Sequence, residues 1–331
     1  MTNTKTEPRG EELIRRYKEN YSIPADAIVT EEMILFHWNL EQQLTKELIA
    51  STPEKRWEVF ENGYGRLYHE MAWLNELVHT SEPISPQKQY SKWVDAIGDS
   101  PLSIYEVGSG KGAMITYLAS LGHDCTATEI TRERGQKLVT SDTGVKWVIT
   151  DGVHLDLFEQ KEKYDLVVSD QVIEHFHPDD IHIHFQTANK ILKPGGRYIF
   201  GTPHLYTGPS DVSAVFGCSA AKGMHLKEYT YRELIKAAKA SGFTKVSYGY
   251  KFSDILQKTG LSSFLKFFGC GRKTQKKIMG SLYLRTLLFS EWVLGLFPSV
   301  NSRKKMAKLL TKVRLFNSNI FIEATKAAAV S

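Results

Sequence analysis

The stretch at residues 104–113, IYEVGSGKGA, places three glycines directly after a short apolar run. Glycine at Gly108, Gly110 and Gly112 lets the backbone adopt positive φ and lets a ligand approach where a Cβ would collide. Read as Gly-x-Gly-x-x-Ala, the stretch fits the turn from the first strand to the first helix of a Rossmann unit. The loop alone does not distinguish a nicotinamide cofactor from another adenosine-containing cofactor.

The pattern after residue 101 predicts strands that alternate with helices. Short apolar runs lie at 102–107, 124–129, 145–150, 164–169 and 196–202, with helical patterns between most of them. This order predicts right-handed crossovers and a parallel, doubly wound sheet. A helix at 230–241 that ends at Gly242 precedes two further apolar runs, at 244–252 and 319–326.

The first 97 residues have a helical pattern. Apolar side chains recur there at steps of three and four residues, which makes one apolar face; they are Trp57, Phe60, Tyr64, Leu67, Met71 and Leu74. We expect this face to pack against the main domain, and the alternative is that part of it lines a substrate pocket. Residues 81–87, SEPISPQ, break the pattern and predict a linker.

Charge is distributed unevenly along the 331 residues. Residues 251–331 contain 15 Lys and Arg against 3 Asp and Glu, a net charge of +12, whereas the whole chain carries only +5. The three cysteines form no Cys-x-x-Cys pair, which disfavours a disulfide framework or a structural zinc site and suits the cytoplasm. The N-terminus shows no signal peptide. The apolar stretch at 281–297 contains Arg285 and Glu291, so we expect no membrane span.

Acidic residues end four successive strands, and ligands of open α/β sheets bind beyond these carboxyl ends. They are Glu106, Glu129, Asp151 and Asp170. Such a set of carboxylates would repel a pyrophosphate and suits a cationic cofactor.

The motifs EVGSGKG, VITDG, YDLVVSDQVIEHF and ILKPGGRYIFGTPH, in this order, resemble those of class I S-adenosylmethionine-dependent methyltransferases. The chain looks most like the branch of ubiquinone and other small-molecule methyltransferases, over residues 103–243 and the last strand. The resemblance implies a Rossmann-like sheet of seven strands with an antiparallel last strand, N-terminal helices and a helical insertion before that strand. The implied divisions are an N-terminal lid or cap at 1–97, a core at 98–251 plus 319–326, and a basic insertion at 252–318.

The resemblance also implies how S-adenosylmethionine is held. The glycine loop packs against its amino acid moiety and Glu106 orders that loop, while Glu129 binds the ribose and Asp151 the adenine. Asp170 and Gln171 lie near its methionine part. The implied cofactor residues are Glu106, Gly108, Ser109, Gly110, Gly112, Glu129, Ile130, Asp151, Gly152, Asp170 and Gln171.

A hydroxyl acceptor would need a base, and histidines follow the fourth and fifth strands. His204 and His225 are the favoured base candidates, with Asp211 as a third, while His175 in the pair Glu-His is expected to hold its loop. Each of these side chains has a purely structural role as its alternative. No metal site is expected, because these histidines have no adjacent carboxylate at ligand spacing.

The sequence favours a small-molecule or lipid-like acceptor and O-methylation. The fourth strand ends in SDQV and not in the motif of amino-directed nucleic-acid methyltransferases. Basic clusters flank apolar residues at 262–314, which favours peripheral contact with an anionic membrane over contact with nucleic acid. The alternatives are solvated lysines on a capping insertion, a nucleic-acid or protein methyltransferase, and a non-catalytic cofactor-binding protein.

Overall fold

The computed structural model describes residues 8–78, 84–98, 101–135, 143–249 and 272–329, with side chains of the last range described from residue 280. Its centre is a seven-stranded sheet in the order β3-β2-β1-β4-β5-β7-β6. The strands are β1 Ser103–Val107, β2 Asp124–Glu129, β3 Lys146–Ile149, β4 Tyr164–Asp170, β5 Leu192–Pro203, β6 Phe243–Tyr248 and β7 Asn319–Lys326.

The strand directions confirm the predicted topology. Strands β1 to β5 pair in parallel, and β7 runs antiparallel between β5 and β6. Strand β5 begins four residues earlier than the apolar run predicts, because Leu192 pairs with Tyr164 before an irregularity in the register. The carboxyl ends of β1, β2 and β4 therefore meet at one edge, and the strand order reverses between β1 and β4.

Helices cover both faces of the sheet and its carboxyl edge. They are α1 Gly10–Tyr21, α2 Glu31–Ile49, α3 Arg56–Glu70, α4 Ala72–Val78, α5 Pro86–Gln89, α6 Ser91–Ile97, α7 Ala113–Ser120, α8 Ile181–Ile191, α9 Tyr231–Ala240, α10 Arg272–Gly295 and α11 Val300–Lys312. Helix α5 occupies part of the predicted linker, because Pro86 is a favoured first residue of a helix. Residues 81–83 of that linker, and 252–271 of the predicted insertion, lie outside the described residues.

Helix α9 begins and ends as its sequence predicts. Thr230 and Glu233 form a reciprocal capping box at its start, and Gly242 follows its end with φ of 93°. The apolar face of α9 packs in the larger core cluster with α8, α10 and one side of the sheet. Helices α6 and α7 pack on the other side.

The N-terminal helices pack over the carboxyl edge of the sheet. Leu13 and Tyr17 of α1 contribute to a cluster with Val212 and Phe216, which belong to the segment after β5. Helices α2 and α3 form a second cluster that includes Met224. These contacts place α2 and α3 beside the strand ends, where the predicted site residues lie. The predicted domain boundaries remain predictions.

Within the described residues, no helix combines the length and the apolar character needed to cross a membrane.

Candidate functional site

A cavity of about 1110 Å³ opens at the carboxyl ends of β1, β2 and β4. Every predicted cofactor residue lines it except Gly112, whose neighbours Lys111 and Ala113 do so. Residues predicted from four separate segments of the sequence are therefore brought to one cavity. Their individual roles remain predictions.

The glycine loop leaves β1 with positive φ at Gly108, Gly110 and Gly112. A Cβ on Gly108 would lie 2.7 Å from Val172 Cγ2, so only glycine fits there. Ser109 fastens the loop to β2, since its N–H donates to Thr128 O at 2.7 Å and its hydroxyl accepts from Thr128 N at 3.1 Å. The loop is thus held open towards the cavity.

Glu106 is the penultimate residue of β1, and its backbone carbonyl accepts from Thr128 Oγ1 at 2.8 Å, which helps to hold the loop. That its carboxylate also orders the loop stays a prediction. The carboxylate is buried, and its Oε2 has no hydrogen-bond partner among the described residues. Burial, together with the nearby Asp170 and Glu129 carboxylates, raises the pKa of Glu106 to about 8. A buried acceptor without a donor beside the glycine loop fits the ammonium group of S-adenosylmethionine.

Glu129 ends β2 with its carboxylate turned back to the glycine loop. Oε1 accepts from Gly110 N at 2.7 Å and Oε2 accepts from Ile130 N at 3.1 Å. Burial raises its pKa, while the cation of Arg134 opposes that shift. Each carboxylate oxygen keeps further lone pairs, so the group retains capacity for ribose hydroxyls.

Asp151 and Asp170 are partly occupied by their own surroundings. Asp151 Oδ1 accepts from Val153 N and His154 N, each at 2.8 Å, which is the local turn role that a lone aspartate often has. Asp170 Oδ2 accepts from Trp93 Nε1 at 3.1 Å. Gln171 follows with φ of 58°, which turns the chain away from β4. Asp151 and Asp170 nevertheless both line the cavity.

Helix α3 forms the wall opposite the strand ends. Phe60, Tyr64, Leu67 and Tyr68 all line the cavity, so the helical face both packs on the core and borders the pocket. The Tyr64 hydroxyl is buried and has no hydrogen-bond partner among the described residues. Burial raises the pKa of Tyr64 well above its usual value, which keeps the phenol protonated.

Two charged residues of the cavity were not anticipated from the sequence. The Arg134 guanidinium lies 4.3 Å from the centre of the Tyr68 ring, over the ring face. Glu41 of α2 receives hydrogen bonds from Met224 N at 3.0 Å and from His37 Nε2 at 2.8 Å. Both line the cavity, yet neither belongs to a motif. Only the packing of the N-terminal helices brings Glu41 to this edge.

Of the base candidates, His204 lies away from the cavity. It is fully buried, its Nδ1 accepts from Tyr206 N at 3.0 Å, and its Nε2 donates to Glu291 of α10 at 2.9 Å. With both nitrogens engaged, His204 is placed to join β5 to the insertion and not to take a proton from an acceptor. Asp211 accepts from Ser213 N and Gly223 N, which is also a structural arrangement.

His175 lines the cavity, and its Nδ1 is 2.9 Å from Met224 O. This bond fits the loop-holding role expected of it. Burial and the neighbouring His225 ring lower the pKa of His175 to about 3, so its imidazole is neutral. His225 is not a lining residue, but its ring centre is 4.9 Å from that of His175.

The Glu174 carboxylate lies beside these two rings. One ligand-type atom from each of Glu174, His175 and His225 lies within 4.8 Å of the other two. The sequence argument missed this cluster because His225 is 50 residues from its partners. The sequence does contain a signal for this cluster, because the Glu-His pair in VIEHF is followed later in the chain by the histidine of GMHLKEY.

The described part of the insertion does not border the cavity. Helix α10 packs against β6 and α9, and none of the described side chains from residue 280 to the end of α11 lines the pocket. A capping role for the whole insertion stays a prediction.

The comparisons agree with this geometry. Residues 85–248 match the methyltransferase domain family. Comparison with curated protein sequences finds no significant match.

Several solved structures are similar in fold. Phosphoethanolamine N-methyltransferase 2 of Haemonchus contortus, solved with S-adenosyl-L-methionine, is 16% identical with a TM-score of 0.44; the match covers 73% of this chain but only 52% of that one. A methyltransferase of Archaeoglobus fulgidus is 12% identical with a TM-score of 0.45, over 72% and 92% of the two chains. The 1,6-didemethyltoxoflavin-N1-methyltransferase of Burkholderia thailandensis, solved with that substrate and S-adenosylhomocysteine, is 19% identical with a TM-score of 0.42, over 59% and 80%.

The matched domain contains the glycine loop, the strand-end carboxylates and most of the cavity. Residues 85–248 thus form a class I S-adenosylmethionine-dependent methyltransferase domain.

Proposed function

We propose that this methyltransferase acts on a hydroxyl oxygen of a small, partly apolar acceptor that binds between the cofactor residues and helix α3. The observation that carries the proposal is the shared cavity, which runs from the glycine loop to the aromatic wall and its unpaired Tyr64 hydroxyl. Its volume of about 1110 Å³ exceeds the range of roughly 300–1,000 Å³ typical of one ligand. The cavity therefore has room for a cofactor and a small acceptor together.

The residues at the strand ends fit S-adenosylmethionine. When bound, this cofactor supplies a methyl group activated by its sulfonium. The protein's part is to hold donor and acceptor in line, which is a proximity effect. Glu106 offers a carboxylate to the ammonium group, Gly108 allows close approach of the backbone, and Glu129 accepts from the ribose hydroxyls.

Helix α3 supplies the acceptor end of the cavity. Phe60 and Leu67 favour an apolar or aromatic body, while Tyr64 has a hydroxyl that is free to donate. A buried donor without a partner costs about 1–3 kcal/mol, so a ligand oxygen that satisfies it gains affinity and orientation. An acceptor with an oxygen at one end of a hydrophobic body meets both requirements.

Cofactor binding is tested by calorimetric titration with S-adenosylhomocysteine, with NADH in parallel. We expect binding of the first and none of the second. Glu129→Gln should weaken binding about ten- to a hundredfold, because a hydrogen bond to a charged group is worth about 1.5–3 kcal/mol. The exposed Glu61→Gln in α3 serves as control. Binding of NADH alone, or unchanged affinity in Glu129→Gln, would overturn the cofactor assignment.

The acceptor is tested with radiolabelled S-adenosylmethionine and a panel of phenols, catechols and matching amines. Transfer to the hydroxyl compounds is expected. Tyr64→Phe should lower kcat/KM by about tenfold at unchanged affinity for S-adenosylhomocysteine, while Tyr206→Phe, outside the cavity, should change neither. Transfer only to the amines would contradict O-methylation.

A lipid-like acceptor is supported by the surface of the insertion. Phe289 and Trp292 of α10 are 63% and 50% exposed, Leu296 directly after that helix is 64% exposed, and α11 contains five basic side chains. Exposed aromatic residues beside lysines are typical of helices that lie on anionic bilayers. This surface lies within the described part of 262–314.

Membrane contact is tested by sedimentation with phosphatidylcholine vesicles that contain or lack phosphatidylserine. The protein should sediment with the anionic vesicles only, and Phe289→Ser with Trp292→Ser should release it. Ile28→Ser, at a side chain that is 82% exposed and lies far along the chain from α10, is the control. If the protein sediments with neither vesicle type, or binds RNA instead, the proposed membrane surface is ruled out.

A further inference from the structure

We infer that Glu174, His175 and His225 form a binding site for a divalent transition-metal cation at the acceptor end of the cavity. Glu174 and His175 belong to the single turn Ile173–His175 after β4, and His225 comes from the segment between β5 and α9. One ligand-type atom of each lies within 4.8 Å of the others. A set of two histidines and one glutamate is a known ligand set for catalytic zinc.

The carboxylate is placed as a ligand. Glu174 is fully buried, its Oε2 accepts from Thr202 Oγ1 at 2.8 Å, and its Oε1 has no partner among the described residues. A buried carboxylate oxygen without a donor is costly unless a cation or a donor occupies the space before it. This unpaired oxygen is the second, independent indication of a ligand.

Both imidazoles are oriented as metal ligands usually are. His175 Nδ1 is 2.9 Å from a backbone carbonyl, Met224 O, which can only accept, so Nδ1 carries the hydrogen. His225 Nδ1 is 3.0 Å from Glu228 Oε1 and likewise donates. Each bond leaves the lone pair of Nε2 available. Metal-ligating histidines typically donate their other N–H to a carbonyl or a carboxylate in this way.

The position of the site indicates a role, and this step rests on the proposed function. His175 also lines the cavity, so a cation held by three protein ligands can turn its open position towards the acceptor. A hydroxyl bound there loses its proton more easily to water. The new bond joins the acceptor oxygen to the methyl carbon, and the pair of electrons of the broken carbon–sulfur bond stays on sulfur.

Metal binding is tested first without acceptor. Protein stripped with a chelator and then dialysed free of it is titrated with Zn²⁺ by calorimetry, and with Co²⁺ by visible absorption. One ion per chain is expected. Glu174→Gln and His225→Ala should each weaken binding about 10- to 100-fold or more, at unchanged affinity for S-adenosylhomocysteine, which also shows that the variants are folded. His182→Ala, at an exposed histidine of α8, should bind the ion as the parent does.

No stoichiometric binding by the parent protein, or equal binding by Glu174→Gln, His225→Ala and the parent, would overturn the site. Methyl transfer then separates the two proposals. If the ion binds and its removal lowers transfer to a hydroxyl acceptor, the assigned role holds. If the ion binds but removal leaves transfer unchanged, the role on the acceptor fails while the site stands. If S-adenosylhomocysteine binds but no hydroxyl acceptor is methylated, the proposed function fails. The result of the metal titration, and the site it identifies, are then unaffected.

Discussion

At the scale of single residues, the cavity is defined by buried groups that have no partner of their own. Glu106 Oε2, Tyr64 Oη and Glu174 Oε1 each lack a hydrogen-bond partner among the described residues, and each lies in or beside the same cavity. Native proteins rarely leave such atoms unsatisfied. Their grouping at the carboxyl edge of the sheet therefore indicates that ligands complete the polar contacts there.

Glu106 should make the free energy of unfolding depend on pH. Its folded-state pKa of about 8 lies above the ordinary 4.5, so the folded protein retains the proton longer than the unfolded chain does. The resulting penalty is absent below pH 4.5 and grows as the pH rises towards 8. Glu106→Gln removes this group, so the variant should gain stability relative to the parent protein as the pH rises from 5 to 8.5.

Chemical denaturation of the cofactor-free protein at several pH values measures this difference. The exposed Glu76→Gln is the control and should show no such trend. Asp170 and Glu129 face Glu106 and have raised pKa values as well, while Lys92 beside Asp170 has a lowered one, so the parent curve contains their contributions too. A parent-minus-variant difference that is constant over this pH range would contradict the assignment.

The positions of single residues at the cavity were predictable from sequence only where a motif fixes the backbone. The glycine loop, Glu129 and Asp170 follow strand ends, and a strand end has a fixed place in a doubly wound sheet. His204 also follows a strand end, but its side chain turns to Glu291, a partner 87 residues away that periodicity does not reveal. Glu41 reaches the cavity from outside the motif region altogether.

At the scale of elements, the glycine loop is the part of the cavity where amino-acid substitution is most restricted. Ala at position 108 would place its Cβ 2.7 Å from Val172 and hold φ at 65°. We expect Gly108→Ala to lose about 1–2 kcal/mol of stability from the positive φ alone and to bind S-adenosylhomocysteine more weakly. Thermal unfolding and calorimetry measure the two effects.

Gly65→Ala, inside α3, is a matched substitution with the opposite expectation. Nothing lies within 4 Å of a Cβ built there, and alanine is a better helix former by roughly 0.5–1 kcal/mol. This variant should be more stable and bind the cofactor as before. If Gly108→Ala behaves like Gly65→Ala, the close approach inferred for the loop is wrong.

The elements themselves were largely predictable, and the misses have local causes. Strands β2 and β7 begin and end at the predicted residues. Strand β5 is longer than predicted, since Leu192 pairs with Tyr164 before a register shift that the sequence pattern does not show.

At the scale of the whole molecule, the cavity lies between two parts of the chain that are remote in sequence. Its floor comes from the strand ends and its wall from α3, while Met224 joins the cluster formed by α2 and α3. Basic charge is concentrated elsewhere, on helix α11, away from the cavity. The architecture thus separates the proposed chemistry from the proposed membrane surface.

A ligand that fills the cavity should therefore stabilise the N-terminal helices together with the sheet. At a concentration of S-adenosylhomocysteine one hundred times its Kd, the free energy of unfolding should rise by about 2.7 kcal/mol. Amide hydrogen exchange should slow in α3 as well as in the glycine loop, because Tyr68 and Gly110 line the same cavity. Helix α11 lies outside that cavity, so its exchange through local opening should not change, which provides an internal control. Protection confined to the glycine loop would mean that α3 does not cover the bound cofactor, and the acceptor would then have to be sought on another face.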